Sequence, residues 1–214
     1  MKYATMVAAL SVAFLADPAW GHDGVVHGSA AEAEAHLKAT QSAPPLPEGP
    51  ATPFPIDLEV RFDLVDQTGA RKTHEDFAGK PMAIFFGYAN CEAICSVALP
   101  RLASTIDLLG EEGADLQPIL ITVDPERDTP EAMAEALPDI HPRMIGLTGE
   151  EANLAAARDA FQVESEVVFE DHEGNPIYAH GSYIYVIAAD GELATILPPI
   201  LGPDRMAEVI SRYL

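Results

Sequence analysis

Residues 85–95 read FFGYANCEAIC, and this stretch joins the end of an apolar run to a pair of cysteines. The run covers 81–87 and predicts a buried strand, because it is continuously apolar and ends in glycine. From Cys95 to Leu109, large aliphatic residues recur at helical spacing. The cysteines therefore lie where a strand gives way to a helix. Ligands of open α/β sheets bind at such strand ends, and the positive end of the helix lowers the pKa of a thiol there.

The spacing of the cysteines indicates redox or metal chemistry. Three residues, 92–94, separate Cys91 from Cys95, whereas two separate the cysteines of redox thioredoxins. Side chains four positions apart share one face of a helical turn, so two thiolates could chelate one soft ion or close into a disulfide. Two thiolates with an imidazole would suit copper. These are the only two cysteines, which excludes a disulfide scaffold, and a purely structural disulfide is disfavoured because its loop is very short.

Outward from this stretch, predicted strands alternate with predicted helices. A Thr-Pro pair at 129–130 opens one helix, and Thr148 to Glu151 has the form of a capping box that opens another. Together these elements predict a thioredoxin-like α/β fold, a mixed sheet with helices on both faces. The strands are predicted at 56–64, 81–87, 116–123, 144–147, 163–169, 183–188 and 193–197, and the helices at 95–109, 130–137, 149–161 and 203–213.

The charge of the chain limits its partners. The formal net charge is −22 over 214 residues, and such a surface repels phosphate backbones. We therefore expect no nucleic-acid partner and a preference for cations or basic proteins.

Two further motifs resemble those of a known family. Residues 123–131 read VDPERDTPE, and residues 180–185 read HGSYIY, with Asp190 and Gly191 following. With the cysteine segment, these motifs resemble the SCO/SenC family of copper chaperones over residues 56–214. The resemblance implies a thioredoxin-like fold and one copper ion held by Cys91, Cys95 and His180. It also implies a role in assembling the copper centre of cytochrome oxidase, with the oxidase subunit or another periplasmic copper protein as the partner.

The cysteine segment departs from the family pattern at three positions. Glu92 and Ser96 stand where members usually have proline, and Asn90 stands where a histidine often precedes the first cysteine. These changes spare the ligands but alter the stiffness and charge of the loop. Glu92 adds a negative charge that favours a bound cation.

Other polar residues near the motifs have several interpretations. Asp124 and Arg127 follow a predicted strand at the same edge of the sheet as the cysteines. They could form an ion pair beside the metal ligands, a surface for a partner, or a salt bridge that only stabilises the loop. His74, His141 and His172 lie in no motif, and we expect them at the surface.

Two functions compete for the cysteine pair. In a metallochaperone, copper is bound by the pair with His180 and passed on by ligand exchange. In a thiol–disulfide oxidoreductase, Cys91 attacks a partner disulfide and Cys95 resolves it, which would keep the partner's copper-ligand cysteines reduced. Enzymatic activity is therefore left open. A copper-responsive regulator without a transfer step is a third alternative.

The first 55 residues predict export and a tail. Lys2, an apolar run and the small residues Ala19 and Gly21 predict a signal peptide at 1–21, cleaved to leave a periplasmic protein that does not span the membrane. An uncleaved anchor is disfavoured because the run is shorter than the ~20 residues that span a bilayer. Residues 22–55 form a histidine-containing tail and a proline-rich linker, in which His22 and His27 are candidate ligands of a weaker second copper site.

Overall fold

The computed structural model of the chain describes residues 56, 58–89, 95–170, 172, 174–181, 183–199 and 201–214, with only the backbone of Cys95 and Ser96. The predicted signal peptide, the tail with its linker, and Cys91 lie outside the described residues. Among the described residues, no helix combines the length and the apolar character needed to cross a bilayer.

The described residues form nine strands and four α-helices. The strands are β1 (Asp63–Asp66), β2 (Arg71–Thr73), β3 (Met82–Gly87), β4 (Gln117–Thr122), β5 (Ile145–Thr148), β6 (Ser165–Glu170), β7 (Pro176–His180), β8 (Ile184–Ile187) and β9 (Leu193–Leu197). The helices are α1 (Cys95–Leu109), α2 (Pro130–Ile140), α3 (Glu151–Ala160) and α4 (Pro203–Ile210), and short 3-10 helices occupy His74–Phe77 and Ser211–Tyr213.

Seven strands form one mixed sheet in the order β2-β1-β5-β4-β3-β8-β9. The central strands β3, β4 and β5 are parallel, whereas β1 and β8 run antiparallel to their neighbours β5 and β3. The remaining strands, β6 and β7, pair with each other in a separate two-stranded ribbon.

Strand β3 lies inside the sheet, between β4 and β8, and all six of its residues are buried. This burial explains its continuous apolar run, since a strand covered on both faces does not alternate. Successive residues point to opposite faces. Phe86 contacts Phe161 at the end of α3, with ring centroids 5.3 Å apart, so α3 covers the face of the sheet to which Phe86 points.

Helix α2 covers the opposite face. Phe85 pairs with Leu120 and Leu120 pairs with Gly146, so the three residues share that face. A side-chain carbon built on Gly146 would meet Met133 and Leu137 of α2, which shows how closely the helix packs there. The predicted mixed sheet with helices on both faces is therefore confirmed.

Some local predictions are wrong. The helix after β5 begins at Glu151, with Glu150 as its N-cap and no side-chain cap bond, because Thr148 is the last residue of the strand and is committed to the sheet. The first strand starts at Asp63 rather than 56. The strand predicted at 163–169 is β6, and its partner β7 was not predicted.

His141 is buried rather than at the surface, with an exposed fraction of only 6%. It follows the C-terminal end of α2, where its Nδ1 accepts a hydrogen bond of 3.1 Å from the Arg143 backbone N–H. Its Nε2 lies 3.5 Å from a carboxylate oxygen of Asp107 on α1. The prediction failed because the packing of α1 and α2 covers this end of the helix. His172 is exposed as predicted, and His74 is half-buried.

Candidate metal centre

The strand-to-helix connection after β3 carries the cysteine pair. Strand β3 ends at Gly87, and α1 begins at Cys95, so the predicted placement of this residue at the start of a helix is confirmed. A helix N-terminus stabilises a thiolate through its unpaired N–H groups and its dipole. Cys91 and the side chain of Cys95 are outside the described part of the chain.

The imidazole of His180 lies against the end of β3. Its ring centroid is 6.1 Å from that of Phe85 and 6.2 Å from that of Tyr88, with edge-on geometry in both pairs. The ring is half-buried, and Nδ1 lies 3.4 Å from the carbonyl oxygen of Gly181. The tautomer in which Nδ1 donates to this carbonyl leaves the lone pair on Nε2, which is the form of histidine that binds metals.

The β6–β7 ribbon positions this histidine. His180 is the last residue of β7, where it pairs with Ser165 of β6. Tyr178, two residues earlier on the same side of the strand, contacts Tyr88 with ring centroids 6.1 Å apart. The ribbon thus turns one side towards the residues that lead from β3 into the cysteine loop.

Asp128 fixes the backbone at the entrance to that loop. One of its carboxylate oxygens accepts hydrogen bonds from the Ala89 N–H at 3.0 Å and from the Thr122 hydroxyl at 2.8 Å. The side chain is only 1% exposed. Burial raises the pKa of Asp128, and the charge of Asp124 adds to this, although the two hydrogen bonds act in the opposite direction. Sequence reasoning missed Asp128, although it lies in the same VDPERDTPE motif as the two residues that were selected.

Asp124 and Arg127 form an ion pair through Nε of the arginine. Asp124 is fully buried, whereas the side chain of Arg127 is partly exposed. Its Oδ1 atom has no hydrogen-bond partner among the described residues. Arg127 also donates from Nη2 to the Pro176 carbonyl at 2.8 Å, and its guanidinium carbon lies 5.2 Å from the centroid of the Tyr88 ring.

The surface beside His180 is acidic and partly apolar. No lysine or arginine occurs between Arg158 and Arg205. On β6, the large apolar side chains of three consecutive residues, 167–169, are exposed by at least 50%. A cation or a basic partner is favoured at such a surface over an anionic one.

Within the described part of the chain, no three His, Cys, Asp or Glu residues are close enough to hold a metal ion. Cys91, the thiol of Cys95, His22 and His27 lie outside the described part of the chain. The ligand set of Cys91, Cys95 and His180 therefore stays a prediction, as does the second site in the tail.

Comparison with known proteins identifies the family. The profile of the SCO1/SenC family matches residues 50–214. The mitochondrial SCO2 homolog of Danio rerio is 35% identical over 155 residues, which make up 72% of this chain and 56% of that protein. A SCO2-like protein of Rickettsia conorii is 36% identical over 70% of this chain and 73% of its own length. The chain thus spans little more than half the length of its vertebrate relative.

Solved structures agree with this assignment. The copper-bound ScoI of Bradyrhizobium japonicum is 31% identical, with a TM-score of 0.67 over 73% of this chain and 99% of that chain. The apo Sco1 protein of Thermus thermophilus is 25% identical, with a TM-score of 0.67 over 77% of this chain and 96% of that one. These similarities confirm the predicted thioredoxin-like fold class. From the profile match, the relatives and the shared fold, we conclude that this chain belongs to the SCO1/SenC family.

Proposed function

We propose that this chain is a copper metallochaperone, which binds one copper ion through Cys91, Cys95 and His180 and passes it to a protein that needs copper. The observation that carries the proposal is the contact of His180 with Phe85 and Tyr88. This contact brings an imidazole to the end of the strand that leads into the cysteine loop.

The chemistry of the donor set fits copper. Thiolate ligands select Cu(I), and imidazole accepts Cu(II), so the three groups together can hold both oxidation states. Three family members support the choice of metal, because ScoI of Bradyrhizobium japonicum, ScoI of Arabidopsis thaliana and yeast Sco1 have been solved with copper bound. They are 31%, 26% and 29% identical to this chain.

Copper is the cargo of this reaction, and the protein's own residues hold and release it. Asp128 fixes the backbone two residues before Cys91, and the β6–β7 ribbon carries His180. Ligands of the partner protein replace Cys91, Cys95 and His180 one at a time, so the ion passes between the proteins without being released into water. The absence of Lys and Arg from 159–204 favours both the cation and a basic partner surface.

The proposed recipient is a copper-receiving subunit of cytochrome c oxidase. BsSco is described as a member of the Sco family of cytochrome c oxidase assembly proteins, and this chain belongs to the same family. We propose that the transfer takes place in the periplasm, after the signal peptide at 1–21 has directed export and has been removed.

Anaerobic copper titration of the purified chain tests the ligand set. We expect His180→Ala to weaken copper binding by more than the ~10–100-fold that changes outside the ligand shell cause. It should also remove the imidazole nitrogen signal from the electron paramagnetic resonance spectrum of bound Cu(II). His172→Ala is the matched control, since His172 is described as exposed and lies outside the motifs. Copper affinity and spectrum that survive His180→Ala unchanged would refute the assignment.

A thiol–disulfide oxidoreductase is the second candidate. It is favoured by the position of Cys95 at the first residue of α1, and a disulfide switch has been identified in BsSco. The Cys91 thiolate would attack a partner disulfide and form a mixed disulfide. Cys95 would then displace the partner's second thiolate, which leaves Cys91 and Cys95 oxidised and the partner reduced. Reduction of a model disulfide by the metal-free reduced chain, at a rate indifferent to His180→Ala, would favour this function over the first.

A further inference from the structure

The β6–β7 ribbon forms no strand pairing with the main sheet. Its two strands pair with each other, and neither pairs with the seven-stranded sheet. His180 is nevertheless set against Phe85 and Tyr88 at the end of β3. Contacts other than backbone pairing between the sheets must therefore fix the ribbon in place.

Among the described residues, Arg127 contacts two groups of the main sheet and one of the ribbon. Nε pairs with the carboxylate of Asp124, Nη2 donates to the Pro176 carbonyl at 2.8 Å, and the guanidinium carbon lies 5.2 Å from the Tyr88 ring centroid. Asp124 and Tyr88 follow the central strands β4 and β3, whereas Pro176 is the first residue of β7. From these contacts, we propose that Arg127 is a positioning residue that holds the ribbon, and with it His180, against the end of β3.

The anchor of this link is buried and hydrogen-bonded. Asp124 is fully buried, and its backbone N–H donates to the Thr122 hydroxyl at 2.9 Å. The same hydroxyl donates to Asp128, which holds the Ala89 N–H at the entrance to the cysteine loop. One hydrogen-bonded group at the end of β4 and just after it therefore contacts both Ala89, which precedes the cysteine loop, and, through Arg127, the first residue of the ribbon strand β7.

The link acts on His180 through a short, stiff strand. Pro176 and His180 are the two ends of β7, about 13 Å apart at the usual rise per residue. Tyr178 lies between them and packs on Tyr88, the ring that Arg127 also contacts. With one end and the middle of the strand fixed, the direction of the His180 ring is set.

Only arginine has the geometry for these contacts. Its planar fork presents several donors in fixed directions and can stack on an aromatic ring at the same time. A lysine has a single ammonium nitrogen and no planar group, so it can pair with Asp124 but cannot donate to the Pro176 carbonyl from a second nitrogen while a flat face covers Tyr88. Arg127→Lys therefore keeps the charge beside the buried carboxylate and loses the link.

Hydrogen exchange of the metal-free full chain tests this directly. In Arg127→Lys, we expect the backbone amides of 165–180 to exchange at least about tenfold faster than in the wild type, while the amides of β3 and β4 stay protected. Tenfold corresponds to ~1.4 kcal/mol, about the contribution of a hydrogen bond to a charged group. Arg205→Lys is the matched control, because Arg205 also pairs with a carboxylate three residues away, at 2.6 Å from Glu208.

A second variant keeps the test valid if the lysine alters folding. Asp124→Asn with Arg127→Gln removes both charges together, so no buried charge is left unpaired. It should also speed exchange in 165–180. Exchange within twofold of the wild type in Arg127→Lys and in the double variant would overturn the proposal.

A copper readout extends the test and rests on the proposed function. We expect Arg127→Lys to weaken copper binding about tenfold and to change the imidazole signal in the Cu(II) spectrum, whereas Arg205→Lys changes neither. If exchange in 165–180 becomes faster in Arg127→Lys while its copper affinity and Cu(II) spectrum stay at wild-type values, Arg127 does not position His180 for copper. If His180→Ala leaves copper binding unchanged, the ligand assignment fails, and the exchange experiment still decides whether Arg127 holds the ribbon.

Discussion

At the scale of single residues, buried carboxylates organise the backbone around the candidate site. The carboxylate of Asp128 accepts hydrogen bonds from Ala89 and Thr122. Asp128 is only 1% exposed, although aspartate in a loop motif is usually solvated. The sequence offers no signal that separates a buried aspartate from an exposed one in the same motif. The distinction arises from the tight turn after β4, which folds Asp128 back over the strand ends.

The ionisation of Asp128 predicts an unusual pH dependence. Its pKa is raised by burial, so the folded state holds its proton more tightly than the unfolded state does. The stability that it contributes is therefore full at low pH and is lost as the pH rises through the raised pKa. We expect the free energy of unfolding of Asp128→Asn to increase relative to the wild type between about pH 4 and pH 7, as measured by urea denaturation at each pH.

Asp66→Asn provides a control of opposite sign. Burial alone would raise the pKa of Asp66, but hydrogen bonds from Thr68 and Ala70 outweigh it and lower the pKa. The stability from Asp66 is present at neutral pH and is lost as the pH falls through the lowered pKa. The free energy of unfolding of Asp66→Asn should thus fall furthest below that of the wild type near pH 7. If the free energies of unfolding of the wild type and Asp128→Asn differ by the same amount at about pH 4 and pH 7, the prediction for Asp128 is contradicted.

At the scale of elements, the approach of α2 to β5 depends on a glycine. An added side-chain carbon at Gly146 would lie 2.5 Å from the Met133 sulfur and 2.6 Å from a Leu137 methyl carbon. Both side chains are at most 1% exposed, so neither can swing away without moving the core.

We therefore expect Gly146→Ala to lower the free energy of unfolding by ~1–3 kcal/mol through overpacking. Equilibrium urea denaturation measures the change. Gly149→Ala is the control, because the nearest atom to its added carbon is in Leu64 at an ordinary 3.4 Å. Equal stability of the two variants would show that α2 does not pack on β5 as described.

The ribbon shows why an element can escape sequence reading. Strand β7 is five residues long and begins with proline, and its partner β6 has a register shift between Val167 and Phe169. Pairing with β6, rather than local preference, makes β7 a strand.

At the scale of the whole molecule, the tail at 22–55 could add copper capacity to the folded domain. If His22 and His27 bind Cu(II), the exported chain should show a second, weaker binding step in addition to the step that depends on His180. We expect a chain that starts at Ile56 to lose only the weaker step, as measured by Cu(II) calorimetry. Identical binding steps in the two chains would exclude a metal site in the tail.

Export can be tested at the same scale. The intact mass of the chain recovered from the periplasm should correspond to an N-terminus at His22, because Ala19 and Gly21 are the small residues that a signal peptidase requires. A mass that retains residues 1–21 would contradict cleavage.

The local pattern of the sequence determined the fold class and most of the secondary structure of this protein. The continuous apolar run of β3, the helical spacing from Cys95 and the alternation of elements were enough to predict the mixed sheet and the start of α1 at the second cysteine. These features depend on periodicity and on burial of whole elements, which neighbouring residues encode. The family followed from three motifs, and the profile match confirms it.

Only the tertiary structure decided which distant residues meet. His180 reaches the end of β3 through a ribbon whose pairing is not local. Asp124 is buried, and Arg127 contacts both Asp124 and Pro176, the first residue of the ribbon strand β7. His141, which lies in no motif, is buried between helices instead. Such contacts depend on packing between elements far apart in the chain, and composition and spacing do not specify that packing.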